Sequence, residues 1–263
     1  MTGSRYLLPV LNTVGLILML TLNGLANALP INGVTTGGVS DRYDNLFTPA
    51  GLTFSIWGVI YLLLTAFVVH QWMVARKGAD AFTSRVDIWF FVSCLANAGW
   101  ILAWHYELLP LSLALMLVLL GCLLAVYLRL GIGVRQVARG ERMLVHLPFS
   151  VYLGWITVAT IANVAALLTS IQWGAWGLSA QFWTVTVIAV GTAIALAMAF
   201  RRGDIYFGLV VVWALVGILL KRLGNSTVSD QAIVVATIAA LVLVSAVVIV
   251  QATRRRVYGA ANT

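Results

Sequence analysis

The side chains in this sequence best equipped to engage another molecule are aromatic rings and amides repeated at helical spacing. Asn97, Trp100 and Trp104 fall at i, i+3 and i+7, and Tyr152, Trp155, Ala159 and Asn163 at i, i+3, i+7 and i+11, so each set makes one stripe along a helix. Phe54, Trp57 and Tyr61 form a third stripe, and Asn12, Asn23 and Asn27 a fourth. Rings of this kind stack on a flat apolar molecule, and amides orient its polar edge. The competing role is helix packing, with asparagines bridging helices and tryptophans filling gaps.

Catalytic groups are conspicuous by absence. All eight acids, Asp41, Asp44, Asp80, Asp87, Glu107, Glu141, Asp204 and Asp230, fall outside the middle of the apolar runs. No carboxylate pair, HExxH, GxSxG elbow or phosphate-binding glycine loop is present, which favours binding over catalysis. A mid-helix lysine for a retinal Schiff base is also missing, since Lys77 and Lys221 are terminal. His105, in the run Trp104-His105-Tyr106-Glu107, is a candidate haem ligand; without a spaced partner it reads first as an interfacial histidine at a helix end. Cys94 and Cys122 lie in apolar runs and read as small buried residues. No motif requires a cofactor or a metal.

The elements that position these residues follow from the solvent. With 62% hydrophobic and 9% charged residues and a mean hydropathy of +1.00, the chain cannot fold around one water-facing core. An all-α, polytopic transmembrane bundle is expected. Spans are predicted near residues 7–28, 50–75, 86–106, 109–130, 145–168, 178–200, 205–220 and 231–252, eight in all. The first begins after Arg5 and ends near Ala26-Asn27-Ala28, as a cleavable leader would, but its apolar run is long for one and its asparagines belong with the bundle.

Charge fixes the expected orientation. With both termini inside, thirteen of the sixteen basic residues lie on the inner face, and only Arg42, Lys221 and Arg222 lie outside, as the positive-inside rule requires. The net charge of +8 then reads as topology and lipid contact, not as a nucleic-acid surface. This N-in, C-in arrangement puts Asn23, Asn27, Phe54, Trp57, Trp100, Trp104 and Asn163 in the outer half and Asn97 and Trp155 near mid-membrane. An aromatic cavity opening outward is expected, with the loop from Leu29 to Pro49 over its mouth. Trp72 and Trp89, and Trp173 and Trp176, read as belt anchors at the two interfaces.

The sequence resembles a known family at several of these positions. YDNL at 43–46, Pro49, the WxxxY pair Trp57 and Tyr61, the NxxW pair Asn97 and Trp100, and the pattern from Tyr152 through Trp155 to Asn163 are similar in order and spacing to the TspO/translocator protein family of tryptophan-rich sensory proteins, over residues 6–170. The resemblance implies a five-helix core, residues 1–170, that binds a tetrapyrrole such as protoporphyrin IX or haem, or a sterol-like molecule, beneath the first loop. Residues 171–263 would add three helices and a short basic tail. It carries Trp57, Tyr61, Asn97, Trp100, Trp155 and Asn163 as pocket or pocket-support residues and Tyr43, Asp44 and Asn45 as lid residues; Asn27 and Trp104 join them from the helix faces. The stretch Thr48-Pro49-Ala50-Gly51-Leu52 lacks the family's tryptophan, and Pro148 is displaced from the family's position.

The expected function is a sensory or translocator protein of a bacterial inner membrane. Its expected partners are a hydrophobic small molecule, membrane lipid and a second copy in a homodimer; small residues such as Gly208 and Gly217 suit close helix packing either within one chain or between chains. Two other readings stand beside it: an eight-helix small-molecule exporter, and light-dependent porphyrin breakdown at Trp155.

Overall fold

The computed structural model describes residues 4–43, 45–78, 82–224 and 230–260; the lid expectation at Asp44 lies outside the described residues. Every long apolar run becomes a helix, because backbone groups in hydrocarbon must pair within their own segment. The chain opens with α1 (Ser4–Ala28), passes through the short α2 (Thr36–Arg42), and enters α3 (Ile56–Arg76). A brief α4 (Thr83–Val86) precedes α5 (Trp89–His105) and α6 (Leu109–Leu130). A single turn, α7 (Arg139–Glu141), leads to α8 (Leu147–Ser170), followed by α9 (Ala180–Arg202), α10 (Ile205–Gly224) and α11 (Gln231–Ala260). Seven helices among the described residues are long and apolar enough to cross a membrane. α5, expected as the third span, has 17 residues and rises roughly 25 Å at 1.5 Å per residue.

Two boundaries differ from the sequence expectation. Residues 50–55 do not begin α3; Gly51–Ser55 form a tight 3-10 turn, fixed from outside by the Ala50 amide donating to Gly217 O at 2.9 Å. α8 is entered through a π turn at Arg142–His146, with Pro148 in its first turn, where a missing N–H costs little.

α5 packs on α1 and α6, α6 on α8, and α10 on both α8 and α11. One buried core therefore runs from Leu16 and Met19 in α1 through Phe67, Phe90 and Phe149 to Phe207 in α10 and Val244 in α11. Polar groups gather at two opposite ends. At one end Arg129 Nε donates to Arg85 O (2.8 Å) and its Nη2 pairs with Asp87 (3.2 Å), while Arg202 donates to Ile132 O (3.2 Å). At the other, Arg42 pairs with Glu107 and Lys221 with Asp41 (2.7 Å). α5 runs from the first end to the second.

Candidate functional site

Toward the second end, four tryptophans from three helices form a box. Trp57 of α3 has its ring centroid 5.7 Å from Trp100 of α5 and 6.2 Å from Trp155 of α8, and Trp100 lies 6.2 Å from Trp104. Phe54 meets Trp155 edge-on at 6.0 Å, and Tyr61 stacks on Trp57 at 5.6 Å. All four indoles are buried. A cavity of about 30 Å³ lies among them, walled also by Asn163 and Ala162 and roofed by Thr36, Ser40 and Pro49. That leaves room for no more than a few water molecules, so the box as it stands admits nothing larger. Trp100 Nε1 and Trp155 Nε1 are buried without a hydrogen-bond partner. A buried donor left unpaired costs about 1–3 kcal/mol, and here two of them border one cavity.

The structure gives the asparagines a different job from the tryptophans. Asn23 Nδ2 donates to Asn97 Oδ1 (2.8 Å), and Asn97 Nδ2 to the Tyr152 hydroxyl (3.0 Å), so a chain of hydrogen bonds ties α1, α5 and α8. Asn12 reaches Gln71 (3.1 Å), joining α1 to α3, and Asn163 accepts from Ser112 Oγ of α6 (3.0 Å). Asn97 is thus occupied in holding helices together, and Tyr61 backs Trp57 from behind. Asn27 is exposed and turns back to Asn23 O (3.0 Å), away from the box. Of the residues singled out from sequence, Trp57, Trp100, Trp104, Trp155 and Asn163 share the cavity wall; Asn27, Tyr43, Asn45, Tyr61 and Asn97 do not.

The loop between α1 and α3 is latched over the box. Trp104 Nε1 donates to Thr36 O (3.1 Å), and Asn32 Nδ2 to His105 O (3.0 Å). His105 is fully buried, with Nδ1 3.0 Å from Ile31 O and Nε2 3.1 Å from Thr36 Oγ1. The carbonyl requires a donor, so Nδ1 carries a proton and donates to it, and Nε2 is paired with the threonine hydroxyl, which can donate or accept. Both ring nitrogens are engaged, which does not suit His105 to an axial iron position, and no group of three His, Cys, Asp or Glu among the described residues is arranged for a metal. Asn45 accepts from the amides of Phe47 and Thr48 and shapes the loop's descent.

Glu107 closes the latch at its rim, accepting from the Tyr43 hydroxyl (2.6 Å) and pairing with Arg42. Hydrogen bonding from Tyr43, with Arg42 assisting, holds the Glu107 carboxyl below the usual range. Burial, then Glu107 itself, pushes Tyr43 up to about 12. The signs set a window: the glutamate contribution is complete above the ordinary carboxylate pKa and is lost as pH falls through the depressed folded value. The tyrosine contribution is complete below pH 10 and is lost as pH rises toward 12. Amide hydrogen exchange over residues 36–43, corrected for intrinsic rates, should therefore lose protection below about pH 4. Glu107→Gln should remove that acid limb; an unchanged limb in the variant would rule out the latch as its origin.

Two features escaped the sequence reading because they join residues far apart in the chain. Thr53 O accepts from Trp213 Nε1 of α10 (2.9 Å), and Gly217 of α10 lies so close to Thr53 that a Cβ there would meet Oγ1 at 1.9 Å. With the Ala50–Gly217 hydrogen bond and the Lys221–Asp41 pair, α10 grips both the lid and the turn that delivers Phe54 and Trp57. At the opposite end, buried Asp204 accepts from Ser150 Oγ (2.6 and 2.7 Å), the Tyr127 hydroxyl (2.8 Å) and the amides of Tyr206 and Phe207 (3.1 and 3.3 Å). It caps α10 while pinning it to α6 and α8. The only sequence signal was an aspartate immediately before an apolar helix.

A family model described as TSPO-like protein matches residues 9–250, a stretch that runs from α1 into α11. No curated protein and no solved structure matches the chain.

Proposed function

The chain belongs to the TSPO-like protein family and is an integral membrane protein, and from that premise we propose that it binds a flat hydrophobic molecule bearing hydrogen-bond acceptors, of the tetrapyrrole or sterol-like class, in the tryptophan box. The observation that carries this reading is that Trp100 and Trp155, which both line one cavity, each hold a buried indole N–H without a hydrogen-bond partner. An acceptor on the ligand edge would satisfy them, while the faces of Trp57 and Trp100 would stack on its rings.

A tetrapyrrole does not fit a cavity of about 30 Å³. Binding on this reading requires the lid from residue 30 to residue 49 to lift, breaking the latch at Trp104, His105 and Glu107. Haem would bind through its ring and edge groups, because His105 has no free nitrogen. Eight crossings with both termini on the cytoplasmic side are supported by α5 connecting the two polar ends and by the arginine-rich contacts at the end opposite the lid.

The test is a dark titration of the purified protein with protoporphyrin IX and with haemin, read by tryptophan quenching and the Soret band. Trp57→Ala/Trp100→Ala should weaken binding about 100-fold, two ring contacts at about 1.4 kcal/mol each. Absence of saturable binding, or binding indifferent to the double substitution, would refute the box as the ligand site.

A further inference from the structure

A second and much larger cavity lies outside the box. α9 packs chiefly on α10 and α11 and only sparsely on α8, and the gap between α8 and α9 encloses about 420 Å³, within the roughly 300–1,000 Å³ of small-molecule sites. Ile161, Val164 and Leu168 of α8 form one wall and Val187 of α9 the other, and Trp173 and Trp183 lie at the end where the loop joins the two helices. Val164 is 37% exposed, so the slot opens sideways into the bilayer.

Its dimensions and its polarity both restrict the occupant. The α8 wall runs from Thr160 to Thr169, roughly 14 Å at 1.5 Å per residue, and one hydrocarbon leaflet is roughly 15 Å deep. The three wall threonines, 160, 169 and 184, each donate to the carbonyl four residues back, at 2.7–2.9 Å. Trp183 Nε1 donates to Ala175 O (3.0 Å), and the Asn45 amide is held in its own turn. Trp173, half-buried at the loop end, contributes an indole N–H that makes no hydrogen bond with a described residue. A slot one leaflet deep, apolar along its length and with a single donor at the interfacial end, matches a hydrocarbon chain carrying an acceptor at one terminus. A porphyrin such as protoporphyrin IX carries two carboxylates on one edge, and a single donor at the end of the slot would leave the second unpaired.

We propose that the α8–α9 cavity is a binding site for one acyl chain, with its carbonyl or carboxylate at Trp173, drawn from a free fatty acid or from a phospholipid of the adjoining leaflet. The site shares no lining residue with the tryptophan box, although Asn45, Leu46 and Phe47 of the lid border it, and it is tested separately from the box.

Photo-crosslinking of the full chain in phosphatidylcholine nanodiscs tests this, using palmitate or phosphatidylcholine with a diazirine on the acyl chain and mapping adducts by mass spectrometry. Adducts should concentrate within residues 160–187, and Ala165→Phe, which fills the slot, should reduce them at least fivefold. Ala180→Phe, at an exposed position on the opposite wall, gives a second filling variant should the first fail to fold. Competition by unlabelled palmitate against the phospholipid probe would identify a fatty-acid site, and resistance to it a lipid site; both support the proposal. Adducts spread evenly over the lipid-facing helices, or unchanged in both filling variants, would overturn it. So would displacement of the adducts by protoporphyrin IX, since that would give the slot to the ring ligand. Trp57→Ala/Trp100→Ala should retain the labelling whatever it does to the box.

Discussion

Asp204→Ala should destabilise the protein by about 3 kcal/mol, among the larger costs expected of any single substitution here. The carboxylate is 2% exposed and, among the described residues, is the only partner of the Ser150 hydroxyl. It also accepts from Tyr127 and from the first-turn amides at Tyr206 and Phe207. Removing it takes one shared acceptor away from donors on α6, α8 and α10 at one buried point. For a chain of this size that corresponds to a fall of roughly 6–12 °C in melting midpoint, measured by tryptophan fluorescence in one detergent throughout. Asp204→Asn, which keeps one acceptor oxygen, should cost about half as much. A double-mutant cycle with Ser150→Ala should show coupling of about 1 kcal/mol or more, because the two side chains share the interaction being removed. A midpoint within 2 °C of the parent, on the same scale, would show that Asp204 is not the joint between α10 and the α6–α8 pair.

Gly217→Val should lower both stability and ligand affinity. A Cβ at this position would meet Thr53 Oγ1 at 1.9 Å, and Thr53 Cγ2 and Cβ at 2.8 and 2.9 Å, so α10 must move off the turn before α3. That movement stretches the Ala50–Gly217 and Trp213–Thr53 hydrogen bonds together. Overpacking of this kind costs about 1–3 kcal/mol, and the lost hydrogen bonds put the total near the top of that range. The same turn carries Phe54 and leads into Trp57, so those rings should shift out of place against Trp100 and Trp155, and with the stacking surface disrupted protoporphyrin affinity should fall about tenfold, or 1.4 kcal/mol. Gly121→Ala in α6 is the control, since a Cβ there meets nothing within 4 Å; it should be neutral or mildly stabilising. A Gly217→Val protein that melts and binds like the parent would remove α10 from any part in holding the lid.

The close approach at Gly217 also bears on how small residues are used. Gly208 faces Val248 of α11, with a Cβ there 2.6 Å from Cγ2, as Gly217 faces Thr53. Both positions are engaged within the chain, the first of the two uses open to them from sequence.

The sequence by itself determined the solvent, the helices and the aromatic stripes. Apolar runs of bilayer length admit only helix, and predicted and observed bounds agree to the residue for 109–130 and within two residues for 178–200. Helical spacing was enough to bring Trp57, Trp100 and Trp155 toward one interior point, because a stripe of large rings needs a partner surface and the lipid side offers none of comparable fit. Tertiary structure decided how each polar group was spent. Periodicity put Asn97 and Trp100 on one face, but only packing showed that the Asn97 amide is consumed by Asn23 and Tyr152 while the Trp100 indole is left without a partner. His105 looked like a lone histidine at a helix end and is instead the buried post to which the lid is tied. Asp204 and Gly217 were beyond reach for the same reason: a cap that also binds two distant hydroxyls, and a glycine that admits one threonine, are pairings across 54 to 164 positions of chain. Local pattern fixes which face of a helix is buried; which atoms meet there depends on how the helices pack against one another.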